Sequence, residues 1–172
     1  MNRLDLKERV SGWHSVTLDK KSKVAWKALL AQLKEKGIER VLASDFDKEA
    51  ADLAGNELHL PVKTEYELRR FNFGRNHASK LDVVTDILRM LEKRWEQNPD
   101  VPIKGGDSLT SFTKRFARRM NMLFSSGGTA LLVTDPLTVA WIRDGMNAHA
   151  LVPNGDPVKR GKIFKVSADA RS

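Results

Sequence analysis

The run Thr129-Ala130-Leu131-Leu132-Val133-Thr134 is a short apolar strand that leads straight into Asp135 and Pro136, where a helix can begin. An apolar strand feeding a helix is the unit of a parallel or mixed sheet whose two faces are both covered. In open α/β folds catalytic groups collect at the carboxyl ends of strands, so Asp135 is a candidate site residue from its place alone.

The rest of the chain alternates in the same way. Lys20 to Lys36 is built of helix formers with Val24, Ala28, Leu29 and Leu33 as its apolar residues, and Gly37 stops it where a helix end accepts positive φ. A strand, Arg40-Val41-Leu42-Ala43, and a helix from Asp47 to Glu57 follow. Next come an extended Leu60-Pro61-Val62-Lys63 and an irregular stretch from Glu67 to Gly74 with Leu68, Phe71 and Phe73 turned inward. Ser79 is placed to cap a helix running to about Gln97, with Leu81, Val84, Leu88, Leu91 and Trp95 on one side. Asn98 to Gly106 holds two prolines and two glycines and reads as a loop. Asp107 or Ser108 then caps a helix whose apolar face is Leu109, Phe112, Phe116, Met120 and Leu123. The helix from Pro136 reaches about Met146, and Lys162-Ile163-Phe164-Lys165-Val166 closes as an alternating strand. The expected fold class is α/β, three layers (αβα) around a central, mostly parallel sheet, in a single domain spanning 1–172.

At 172 residues and 41% hydrophobic composition, the chain suits one domain that buries roughly 70% of its unfolded surface. The absence of cysteine excludes disulfides, thiolate metal sites and cysteine nucleophiles. Met1-Asn2-Arg3-Leu4-Asp5-Leu6-Lys7-Glu8-Arg9 is charged throughout, and no stretch approaches the ~18 apolar residues of a membrane span. A soluble, cytoplasmic protein with no membrane partner is expected. Thirty Lys and Arg against 22 Asp and Glu give a net charge of +8, which favours nucleic acid, anionic protein surfaces or phosphorylated ligands as partners.

The order of short motifs resembles the histidine phosphatase superfamily, with its phosphoglycerate mutase-like fold, from about Gly12 to the last strand. Gly12-Trp13 before Thr17-Leu18 and a helix is similar to the family's segment after its first catalytic loop. Ala43-Ser44-Asp45-Phe46-Asp47-Lys48-Glu49-Ala50 sits where the family has a strand, Ser-Asp-Leu and an arginine on the next helix. Leu60-Pro61-Val62 and Glu67-Leu68-Arg69-Arg70-Phe71-Asn72-Phe73-Gly74 match its Leu-Pro-Val and Leu-Arg-Glu-x-x-Phe-Gly runs. Gly106-Asp107-Ser108-Leu109, with Phe112 and Arg115 behind it, is similar to its Gly-Glu-Ser segment and helix.

Members of that family attack phosphate with the histidine of an Arg-His-Gly motif at the end of the first strand. They hold it with two arginines and a second histidine and protonate the leaving group with an acid, commonly glutamate. The present sequence contains no Arg-His-Gly. With Leu4 to Leu6 as the remnant of the first strand, Lys7, Glu8 and Arg9 stand in the motif's place, and the loop before Gly12 is shortened. The resemblance sets Lys48 at the helix arginine, keeping the charge but losing bidentate geometry. It sets Arg70 at the glutamate and Asp135 at the second histidine. An aspartate in a phosphate cradle repels substrate, and a phosphohistidine mechanism cannot run without its nucleophile. The resemblance thus implies an inactive relative that uses no cofactor and works by binding, to a protein partner first and to a phosphorylated ligand or nucleic acid second. A homodimer is compatible with the sequence. Since the family brings the positions of Lys48, Arg70 and Asp135 together, either cation can pair with Asp135 and close the vestigial pocket; independent drift of each position is the alternative.

Other groups suggest less. His14, His59, His77 and His149 lie in separate loops or element ends without metal-ligand spacing, and no metal site is expected. Val41 to Asp47 is an apolar strand leading to Asp-x-Asp, which resembles the first motif of haloacid dehalogenase-type phosphatases, with Asp45 as nucleophile and Asp47 as acid/base around Mg²⁺. Glu49 departs from that pattern, and aspartates capping the following helix are the plainer reading. Lys114, Arg115, Arg118 and Arg119 lie opposite Phe112, Phe116 and Met120 as a candidate basic surface, joined by four cations between Lys159 and Lys165. Such a stripe is usually a solvated helix face; a nucleic-acid footprint is the alternative, although no nucleic-acid module or interleaved aromatic residue accompanies it.

Overall fold

The computed structural model describes residues 15, 17–76, 81–146, 151 and 163–167. Three parallel strands, β1 (Arg40–Ala43), β2 (Val62–Thr64) and β3 (Ala130–Val133), run in the order β2-β1-β3. Helices α1 (Lys20–Ala31), α2 (Lys48–Leu58), α3 (Leu81–Trp95), α4 (Leu109–Ser125) and α5 (Pro136–Arg143) flank them. Side chains alternate across a strand, and that alternation sorts the helices into layers. Val41, Ala43, Leu131 and Val133 pack with Leu30, Leu33, Ala51 and Ala54 on the α1/α2 side. Leu42 and Leu132 point the other way, into Phe112, Phe116, Trp95 and Trp141 of α3, α4 and α5. The expected α/β architecture is present.

The second layer is held by rings. Phe71 meets Phe73, Trp95 and Phe112 edge-on at centroid distances of 5.2, 6.1 and 5.5 Å, and Phe112 continues to Trp141 at 4.9 Å. Such contacts add about 0.5–1.5 kcal/mol each to the burial itself. They anchor the stretch from Glu65 to Asn76, whose regular structure is two single 3-10 turns and which is tied to β1 at its start, where Glu65 N donates to Ala43 O at 2.9 Å.

Several boundaries differ from the sequence expectation for local reasons. α1 ends at Ala31 because Leu33 N and Lys36 N turn back to carbonyls three residues earlier, tightening the chain toward Gly37, whose φ is +65°. β2 starts at Val62 because Pro61 has no N–H to give the ladder, although its carbonyl accepts from Val41 N at 2.9 Å. α5 stops at Arg143, with positive φ at Gly145 and Met146. The expected closing strand is not observed among the described residues: 163–167 pair there with no strand, Ile163 and Phe164 are both about two-fifths exposed (39% and 40%), and Val166 packs on the core. An extended segment laid on a core shows the same alternation as a strand. Ser79 and Lys162 lie outside the described residues. Among those residues no helix is long and apolar enough to cross a membrane.

Two glycines of the resembling motifs have a packing role. A Cβ on Gly106 would lie 2.2 Å from Asn72 O and 2.8 Å from Gly74 N, and one on Gly74 would lie 2.3 Å from Lys104 O. The two backbones cross with no room for a side chain. Gly106→Ala is expected to lose about 2–3 kcal/mol, whereas Gly37→Ala, with positive φ but open space, loses about 1 kcal/mol. Urea denaturation checks this; equal losses would contradict the close crossing.

Candidate functional site

All three strands finish on one edge of the sheet, where Ser44 follows β1, Glu65 follows β2, and Thr134 and Asp135 follow β3. The 3-10 turn Asp45–Asp47 folds Asp47 back on the strand end, so that Ser44 Oγ donates to Asp47 Oδ2 at 2.7 Å. Arg70 enters from the ring-anchored stretch; its Nη2 donates to Asp47 Oδ1, and its Nε stands 4.0 Å from Asp135 Oδ2. Its side chain is only 3% exposed. One buried guanidinium therefore lies between two carboxylates, as burial of charge requires.

Asp135 has a second task. Its Oδ1 accepts from Leu137 N at 2.9 Å and Thr138 N at 3.1 Å, and its Oδ2 accepts from the Thr138 hydroxyl at 2.7 Å. With Pro136 at the first helical position, this is an N-cap for α5. Lys48 does not approach it. It points outward, 61% exposed, and pairs with Asp52 one turn along α2 at 2.5 Å, so the Lys48 option for closing the pocket is not realised.

A further shell of ion pairs supports this edge. Glu65 receives Nε and Nη2 of Arg119 on its two oxygens, the latter at 2.7 Å, with Lys63 at 2.9 Å. The Arg119 hydrogen bonds hold its carboxyl below the ordinary value of 4.5, against the opposing effect of burial. Arg115 donates to the carbonyls of Glu67, Arg69 and Arg70 and, at 3.1 Å, to Asp107 Oδ2. Burial lowers its pKa below the ordinary guanidinium value, and Asp107 opposes that shift. These bonds correct the reading of α4 as a basic stripe: Arg115 and Arg119 face inward to carbonyls and a carboxylate, and only Lys114 and Arg118 of the group are exposed.

Asp45 and Asp47 are likewise occupied. Arg69 grips both oxygens of Asp45 at 2.7 and 2.5 Å while stacking over Phe46 and Tyr66, and that bidentate bond lowers the Asp45 pKa. Asp47 precedes α2 but makes no capping bond, because its carboxylate is turned to Ser44 and Arg70. Glu49, the residue at odds with the Asp-x-Asp pattern, accepts from Leu18 N at 3.1 Å and pairs with Lys23. Among the described residues no group of three or more His, Asp and Glu gathers as metal ligands. His59 ends α2 with φ +55°, just before β2 begins, and so lies at the opposite edge of the sheet. Lys7, Glu8, Arg9, His14, His77 and His149, and the cations from 159 to 162, lie outside the described residues.

Residues 3–146 match the sequence model of the histidine phosphatase superfamily, branch 1. The chain belongs to that superfamily. No curated protein matches it in sequence. Its fold is similar to that of the alpha-ribazole phosphatase from Shigella flexneri, at 18% identity and a TM-score of 0.64 over 88% of this chain and 79% of that one. It is also similar to a mycobacterial glucosyl-3-phosphoglycerate phosphatase in complex with inorganic phosphate, at 16% identity and a TM-score of 0.61 over 81% and 73%. At these identities the likeness concerns the fold alone. Within the superfamily's fold, this protein carries Arg70 bonded to Asp47 and facing Asp135 at the carboxyl edge.

The part played by Asp47 was not anticipated as Arg70's partner. The Ser44-x-x-Asp47 spacing at the end of a buried strand was the available signal, since it lets a serine hydroxyl meet the carboxylate across one tight turn. Arg70→Met removes the buried cation that lies between Asp47 and the partly buried Asp135 and is expected to cost about 3–5 kcal/mol, while Lys48→Met stays within about 0.5 kcal/mol; similar urea midpoints for the two would contradict the buried cluster. Folded Glu65 and Asp45 titrate below their unfolded values of 4.5 and 3.8, so their contribution is complete above those values and is lost as pH falls through the folded ones. Glu65→Gln is expected to flatten the acid loss of stability below about pH 4.5. Urea midpoints between about pH 3 and 7 read this, and an unchanged slope would count against the Glu65–Arg119 bond.

Proposed function

We propose that this superfamily member performs no phosphoryl transfer and works by binding, with a protein partner as the first reading and a phosphorylated ligand or nucleic acid as the second. The observation that carries the proposal is Arg70 held by Asp47 with Asp135 beside it. Phosphoryl transfer depends on a nucleophile and on excess positive charge around the transferred group. Among the described residues the carboxylates of Asp47 and Asp135 stand against the guanidinium of Arg70, and Lys48 is turned to Asp52. The sequence also contains no Arg-His-Gly, the motif whose place Lys7, Glu8 and Arg9 take by resemblance. Mg²⁺-dependent hydrolysis through Asp45 and Asp47 is disfavoured because arginines hold both carboxylates.

Exposed Tyr66 (52%), Met90 (71%) and Met122 (55%) favour a protein surface over a nucleic-acid one, since Tyr, Met and Arg are enriched at protein interfaces. The inward bonds of Arg115 and Arg119 remove half of the basic stripe that a nucleic acid would need. An assay with p-nitrophenyl phosphate, with and without Mg²⁺, is expected to stay at background. Metal-free turnover abolished by Asp135→Ala would overturn the proposal, and Mg²⁺-dependent turnover abolished by Asp45→Asn would replace it with the haloacid dehalogenase-type reading.

A further inference from the structure

The outward side of α4 carries a shallow, open groove between side chains of that one helix, whose lining among the described residues includes Thr113, Lys114, Ala117, Arg118, Met122 and Ser126. Lys114 and Arg118 are exposed and, among the described residues, take part in no hydrogen bond or ion pair, unlike Arg115 and Arg119 beside them. At the far end Arg40 reaches the groove by donating to Ser126 Oγ at 3.3 Å, with Glu39 3.9 Å away as its nearest carboxylate. The floor between the cations is apolar: Ala117, Met122 at 55% exposure, and the aliphatic stems of Lys114 and Arg118.

The geometry points to this groove as the docking site of an acidic amphipathic helix of a partner protein. Lys114 and Arg118 are one helical turn apart, roughly 6 Å, the spacing at which two carboxylates at i and i+4 of a facing helix meet both. Rows of residues four apart make the groove into which a second helix most often packs. A phosphate backbone would set its charge over Ala117 and Met122 as well as over the cations, which disfavours nucleic acid. A second copy packed about a twofold axis would bring Lys114 and Arg118 against the same cations, which disfavours self-association. The chain's net charge of +8 draws an acidic segment toward this surface. The inference rests on the binding reading above and is independent of whether catalysis has been lost.

A synthetic helical peptide with glutamates at i and i+4 and leucines along the adjoining face serves as the probe. In an NMR titration of the full chain, amide shifts are expected to cluster at 113–126. The double variant Lys114→Glu/Arg118→Glu, confirmed as folded by its unchanged melting temperature, is expected to bind about tenfold more weakly. The same peptide with lysines for glutamates is expected not to bind. The inference is overturned by no binding of the acidic peptide, by undiminished binding to the double variant, by shifts centred elsewhere, by tighter binding of duplex or single-stranded DNA, or by dimerisation through α4. Turnover of p-nitrophenyl phosphate would remove the inactive reading and leave the groove standing; failure of the peptide would remove the groove and leave the inactive reading standing.

Discussion

The guanidinium of Arg115 sets the geometry of the carboxyl edge. Residues 65–72 form no strand and no complete helix, so their carbonyls must find donors elsewhere or stay in water. Arg115 supplies donors to the carbonyls of Glu67, Arg69 and Arg70 from a single planar group, and Asp107 balances its charge. Asp107 Oδ2 also accepts from Asn72 N at 2.9 Å, which extends the same network two residues beyond Arg70. Arg70 can then enter the interior with its backbone fixed, while Phe71 and Phe73 pack into the ring cluster from alternate positions. Without that fixed backbone, the long side chain of Arg70 would have to be ordered at its own entropic cost.

Much of this fold was legible in the chain. β1 occupies the expected residues, α4 begins at one of the two expected caps, Ser108, whose side chain bonds Ser111 N at 3.1 Å, and Leu68, Phe71 and Phe73 are buried. Each of these rests on a local rule: a buried strand, a capping box, an apolar residue that must leave water. The site was less legible, and α4 shows why. Helical spacing separates its apolar face from its polar face, but it carries no record of what lies over the polar one. The irregular segment 65–72 covers part of that side and turns Arg115 and Arg119 into internal partners, while Lys114 and Arg118, one position away in each case, stay in solvent. Pairing between segments far apart in sequence, such as Arg119 with Glu65, leaves no periodic trace.

The motifs that mark the superfamily separate here into two kinds. Gly74 and Gly106 are demanded by the crossing of two backbones, and Leu68, Phe71 and Phe73 by the core. These residues specify architecture whatever reaction occurs nearby, which is why packing alone can carry much of the match to the family over residues 3–146. Kinship in such a fold is written mainly in packing, and activity in a handful of exposed-edge side chains.

Asp135 ties two parts of this arrangement together. A carboxylate there caps α5 and faces Arg70 at once, so the position is coupled to a helix terminus and to a buried cation. A histidine at this position would remove a cap worth about 1 kcal/mol and, when protonated, place a second cationic group near the buried Arg70. Interdependence of this sort makes position 135 hard to change alone, because any replacement acts on a helix end and on a buried cation at once.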